Sequence, residues 1–134
     1  MLYYKMLTLI CGIPNAGKTT YASQYDNVIH MDDMPIKGGQ FRNCATLARE
    51  VQGDVCVEGV FGLKKHRLEV IRQCRQQTPK VCIWIDTPLD ECVRREYNYR
   101  KRPLSIVHRC NDVFEPPTLE EGWDEIRIIK GEQQ

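Results

Sequence analysis

Gly12-Ile13-Pro14-Asn15-Ala16-Gly17-Lys18-Thr19-Thr20 directly follows the apolar run Met6-Leu7-Thr8-Leu9-Ile10-Cys11. A glycine, four residues and then Gly-Lys-Thr is the spacing of a phosphate-binding loop set between a strand and a helix. Such a turn points the backbone N–H groups of Asn15, Ala16, Gly17, Lys18, Thr19 and Thr20 at a phosphate, where the helix dipole also favours negative charge. Gly12 and Gly17 permit the tight turn and the close approach of the ligand. Lys18 is placed to span the outer phosphates and the Thr19 hydroxyl to ligate magnesium. The plainer reading, an ordinary strand-to-helix turn, is outweighed by the complete motif in that context, and ATP with Mg2+ is the expected ligand pair.

The 134 residues suffice for one hydrophobic core, and one domain over 1–134 is the expectation. With 42% hydrophobic and 28% charged residues the chain reads as a soluble globular protein. No run approaches the roughly 18 apolar residues that a membrane helix needs. A secretory leader is not expected from the N-terminal residues, and a cytoplasmic location with no membrane partner is the expectation. The seven cysteines include no Cys-x-x-Cys pair, and they read as free thiols packed as small hydrophobes. Net charge is +1, yet Lys64–Arg109 holds twelve Lys/Arg against five Asp/Glu. That excess either steers a polyanion to one face or is a solvated helix surface. Nothing marks an oligomer interface.

Five apolar runs alternate with helix-like segments, the pattern of an α/β fold with a five-stranded, mainly parallel sheet flanked by helices. The strands are placed at Met6–Cys11, Val28–His30, Val55–Val57, Val81–Ile85 and Glu125–Ile129. Helices are expected from Lys18 to about Tyr25, Asn43 to about Val51, Lys64 to Arg75 and Ser105 to Val113. Another starts with Thr87 as cap and Pro88 in its first turn. The tail from Lys130 to Gln134 is expected to be loose. Ligands of such sheets sit beyond the carboxyl ends of the strands, where the loop, Asp32 and Glu58 all fall.

These acids favour phosphoryl transfer over a nucleotide-driven switch. A carboxylate at a strand end can take the proton of an acceptor hydroxyl while cations stabilise the moving phosphoryl group. Asp32 is the candidate base, and Asp33 a helper or a helix cap. Glu58, closing the third strand, is a candidate for magnesium-bound water or for the acceptor, or else a structural carboxylate. The run Arg94-Arg95-Glu96-Tyr97-Asn98-Tyr99-Arg100-Lys101-Arg102 suggests an arginine-rich lid, with Arg95, Arg100 and Arg102 as its candidates, or a wet surface. Tyr97 and Tyr99 could stack on an acceptor base or pack under the lid. Trp84 and Trp123 read as core or edge packing, the alternative being that Trp123 and Pro116-Pro117 border the nucleotide base.

Beyond the loop, Met31-Asp32-Asp33, Val57-Glu58, Asp86 to Arg95 and Phe114 to Asp124 together resemble the P-loop kinases related to the kinase domain of polynucleotide 5′-hydroxyl kinases. The resemblance spans nearly the whole chain. It implies that Lys18 and Thr19 handle ATP and magnesium, that Asp32 activates a 5′-hydroxyl, and that DNA or RNA is the acceptor. Met31 stands where that family has arginine, Glu58 where aspartate is commoner, and Pro35 where an arginine often holds the acceptor's 3′-phosphate. Lys37 and Arg42 are the available substitutes for that arginine. The same framework serves kinases of nucleosides, sugars and other small alcohols, which is the alternative acceptor class; a non-catalytic nucleotide-binding module is the third reading.

Overall fold

The central strand, β1 (Leu7–Cys11), is buried at all five positions. A strand covered on both faces reads as a continuous apolar run rather than an alternation. Flanking it are β3 (Val55–Glu58) on one side and β4 (Lys80–Asp86) on the other. β2 (Val28–His30) pairs outside β3 and β5 (Glu125–Lys130) outside β4. The order is therefore β2-β3-β1-β4-β5, with every pair parallel. The structure is a computed structural model that describes residues 5–131.

Helices cover both faces: α1 (Lys18–Ala22), α2 (Gln40–Glu50), α3 (Lys64–Arg72), α4 (Leu89–Arg95) and α5 (Leu104–Val113). Alternation along the strands divides the core in two. Leu7, Leu9 and Cys11 pack with Val55, Val57 and Cys82 against Cys44, Ala45 and Ala48 of α2 and Val70 of α3. Ile10, Cys56, Ile83 and Ile85 face the other way, toward Ala22, Cys92 and Val107. Burying each such Val, Leu or Ile side chain contributes about 1.5–3 kcal/mol. All seven cysteines are free thiols, and the Sγ atoms of Cys11 and Cys82 lie 3.9 Å apart.

Several boundaries differ from the sequence expectation, each for a local reason. α1 stops at Ala22 because Ser23 and Tyr25 turn back onto the carbonyls of Thr20 and Ala22, and Asn27 at φ 54° redirects the chain into β2. α3 stops at Arg72; the Lys80 ammonium then gathers the carbonyls of Arg75, Gln76 and Thr78 at 3.4, 3.3 and 2.8 Å. Lys130 belongs to β5, in register with Asp86, rather than to a loose tail; the remainder of that expectation, 132–134, lies outside the described residues. Trp123 is buried, its indole N–H donating to Glu121 Oε1 at 3.0 Å, and Trp84 stacks on Phe114.

Glu121 also receives Arg67, whose Nε and Nη2 bind its two oxygens at 2.8 and 2.9 Å while Nη1 binds the Phe61 carbonyl at 2.8 Å. Arg67 is fully buried, and this fork pins α3 to the segment that leads into β5. No helix among the described residues is long and apolar enough to cross a membrane.

Candidate active site

Gly12 leaves β1 so close to β4 that a Cβ there would lie 2.8 Å from the Ile85 carbonyl oxygen. Asn15 at φ 70° and Gly17 at φ 105° then turn the chain into α1, in backbone conformations that Asn and Gly tolerate best. The loop's carbonyls are held from behind. Thr87 Oγ1 donates to the Ala16 oxygen at 2.6 Å, and Arg95 Nη1 to the Asn15 oxygen at 2.9 Å. Thr87 is therefore a brace on the loop and not the cap of α4, a position occupied by Pro88.

With the carbonyls engaged outward, the N–H groups of Asn15, Gly17, Lys18, Thr19 and Thr20 have no protein acceptor among the described residues. Lys18 is 7% exposed, its ammonium donating to the Ile13 carbonyl at 2.8 Å and making no ion pair within 4.0 Å among the described residues. Desolvation lowers its pKa, while the nearby charges of Glu58 and Asp32 pull it back up. A buried cation set among free amide donors is a site built for an anion. The exposed Thr19 side chain stands at the mouth of this cradle, in the same cleft as Glu58. That hydroxyl and carboxylate are oxygen donors suited to Mg2+, so the residues present fit ATP–Mg2+.

The cleft, about 510 Å³, runs from the loop past Asp32 and Glu58 to Arg95, Arg100 and Arg102. Its apolar wall is Pro14, Val60, Ile106 and Cys110, with Tyr99 beside them. Asp32 sits just past β2 in a single 3-10 turn, Met31–Asp33, anchored by the buried Met31. Asp33 is exposed and does not line the cleft. Lys37 and Arg42 also stand apart. Lys37 is exposed on the loop before α2, and Arg42 lies 3.9 Å from Glu69 of α3 in a separate shallow groove. A larger hollow of about 950 Å³ lies at the amino ends of the strands, lined by Arg49, Gly53, Gln77 and Thr78, and contains no candidate residue.

Two side chains that sequence reasoning did not single out organise the site. His30 Nδ1 lies 2.8 Å from Glu58 Oε2, joining the ends of β2 and β3, where the two residues are register partners. Glu96, wholly buried where α4 passes into a π-turn (Glu96–Arg100), binds Arg102 and Asn15. The cations of the arginine segment thus differ in state. Arg94 and Arg95 bind Glu91, Arg102 is held by Glu96, and Arg100 is exposed with no ion pair among the described residues.

No protein-family model and no curated protein sequence matches the chain. The fold is nevertheless found in solved structures. A gluconokinase from Sinorhizobium meliloti 1021 superposes with a TM-score of 0.72 at 13% identity, over 99% of this chain and 86% of that one. The Mycobacterium tuberculosis APS kinase, solved with AMPPNP and APS, superposes with a TM-score of 0.69 at 17% identity, over 95% and 90%. A third structure, from Chloroflexus aurantiacus J-10-fl, gives 0.64 at 14%, over 97% and 87%. The chain has a P-loop kinase-like α/β fold.

These likenesses correct the sequence-based resemblance. The related structures are kinases of small molecules, so neither the assignment to polynucleotide 5′-hydroxyl kinases nor DNA or RNA as acceptor stands. The geometry agrees with the correction: Pro35 is exposed where the resemblance implies an acceptor-binding arginine, and neither Lys37 nor Arg42 reaches the cleft in its place.

Proposed function

We propose that the protein is a kinase that transfers the γ-phosphoryl group of ATP–Mg2+ to the hydroxyl of a small molecule. The observation that carries this reading is the cleft itself: free loop amides and the buried Lys18 at one side, and the Asp32 carboxylate facing the same space. ATP supplies the phosphoryl group and Mg2+ neutralises its oxygens. The loop N–H groups and Lys18 bind the phosphates and fix their orientation. The Thr19 hydroxyl and Glu58 are the protein groups that would hold the metal or its water. Asp32 accepts the acceptor's proton as the hydroxyl attacks. Arg95, Arg100 and Arg102 add positive charge along the wall, where negative charge spreads in the transition state.

The gluconokinase and APS kinase likenesses support a small hydroxyl compound as acceptor. The mixed wall, with Ile106 and Val60 near Arg102, suits an alcohol that has both apolar and anionic parts. Incubation with γ-labelled ATP and Mg2+ against sugars, sugar acids, nucleosides and nucleotide sulfates tests the reading. A labelled small product, with none on a 5′-hydroxyl oligonucleotide, is expected. ATP binding with no acceptor ever labelled contradicts it.

A further inference from the structure

The Glu96 carboxylate accepts from four donors at the junction of two parts of the cleft. Arg102 donates from its Nη2 at 2.7 Å, its Nε at 3.1 Å and its backbone N–H at 3.0 Å, and Asn15 Nδ2 donates to Oε1 at 3.1 Å. The same Asn15 amide also reaches the Cys92 carbonyl at 3.2 Å. The Glu96 carbonyl accepts the N–H of Lys101, which at φ 57° reverses the chain and brings Arg102 back over the carboxylate. The Glu96 side chain is 0% exposed. A buried carboxylate is tolerable only when its lone pairs are satisfied, and here the partners come from segments 81 residues apart for Asn15 and 6 apart for Arg102.

We infer that Glu96 is a positioning residue that couples the phosphate loop to the arginine segment, holding the Asn15 turn and the Arg102 guanidinium as one unit. Asn15 carries one of the free loop N–H groups, and Arg102 lines the cleft on the side of Asp32. Loss of either contact frees the carboxylate to rotate and loosens the other. Arg102 is thereby built into the resting site, whereas Arg100 stands exposed on the rim with no ion pair among the described residues. That the coupling serves phosphoryl transfer rests on the proposed kinase reading; the coupling itself does not.

Asn15 and Arg102 share Glu96 Oε1 as acceptor, so the energetic link between them runs through that carboxylate. The test is a double-mutant cycle, Asn15→Ala with Arg102→Lys, in which the lysine keeps a cation for the buried carboxylate. ATP–Mg2+ binding is measured by calorimetry in the native protein and again in the Glu96→Gln background. The double variant is expected to depart from the product of the single effects by about threefold or more, and the departure should vanish in the Glu96→Gln background. Independently of any ligand, Arg102→Lys should speed hydrogen exchange of the loop amides that are hydrogen-bonded, Ala16 to the Ile13 carbonyl and Tyr21 to the Gly17 carbonyl. Multiplicative binding effects, or loop amides that exchange as in the native protein, overturn the proposal. If the native protein binds no nucleotide, the kinase reading fails while the exchange experiment still decides the coupling.

Discussion

His30 and Glu58 are register partners at the ends of β2 and β3, and their side chains meet at 2.8 Å, Nδ1 to Oε2. An ionised carboxylate can only accept, so the imidazole donates through Nδ1. Glu58 Oε1 takes no hydrogen bond from the described residues, and Glu58 lines the cleft. Fixing one oxygen orients the other, as partners of metal-ligating carboxylates do. His30→Leu should therefore raise the Mg2+ concentration needed for half-maximal turnover by roughly 10-fold or more, while His30→Asn, which restores a donor near Nδ1, recovers part of it. Equal Mg2+ titrations for native and His30→Leu proteins would remove His30 from the site.

Lys18 lies buried with a neutral carbonyl as its hydrogen-bond partner, an arrangement that opposes folding and favours an anionic ligand. Lys18→Met keeps the volume and removes the charge. ATP affinity should fall by roughly 30-fold or more, with the thermal midpoint of the ligand-free protein unchanged or higher. A destabilised but ATP-binding variant contradicts the assignment.

Hydrogen bonds from Arg102 hold the Glu96 carboxyl down at about 2, against an ordinary value of 4.5. A folded-state pKa below the unfolded one gives stability that is complete above the ordinary value and is lost as pH falls toward the depressed one. Unfolding free energy should therefore drop between pH 4.5 and 2, and Glu96→Gln should lack that component. Parallel curves for the two proteins, from denaturant unfolding at each pH, argue against a tightly held Glu96.

Arg67 and Glu121 form a two-point ion pair, 0% and 1% exposed at their side chains. Arg67→Met strands the carboxylate and should cost about 3–5 kcal/mol in denaturant unfolding. Adding Glu121→Gln should recover part of that loss, because the buried charge is removed and the amide oxygen can still accept from Trp123. A loss below about 1 kcal/mol for the single variant would place the pair in the range of surface bridges.

The loop, the five strands and the position of Asp32 just past β2 were legible because their signals are local: a fixed motif, apolar runs, and an acid at a strand end. Contacts made across the fold were not. His30 is one of three scattered histidines until the β2–β3 register sets it opposite Glu58. Glu96 looks like one charge in a wet run, yet its role depends on Asn15, which the chain order puts far away. Thr87 has the sequence look of a helix cap, but its hydroxyl instead donates across the fold to the Ala16 carbonyl. The acceptor class was misread because loop, base and arginines are shared among kinases whose acceptor pockets differ. Lys37 and Arg42, chosen by charge alone, stand apart from the cleft.

The proposed transfer requires Asp32 to face the phosphate cradle as the acceptor's base. Once an acceptor is labelled, Asp32→Asn is compared with the native protein for both turnover and ATP–Mg2+ affinity. A fall in kcat of about 10²–10⁴-fold, with ATP binding within a few-fold of native, is the predicted result. Turnover that survives the substitution, or ATP affinity that collapses along with it, would contradict the central claim.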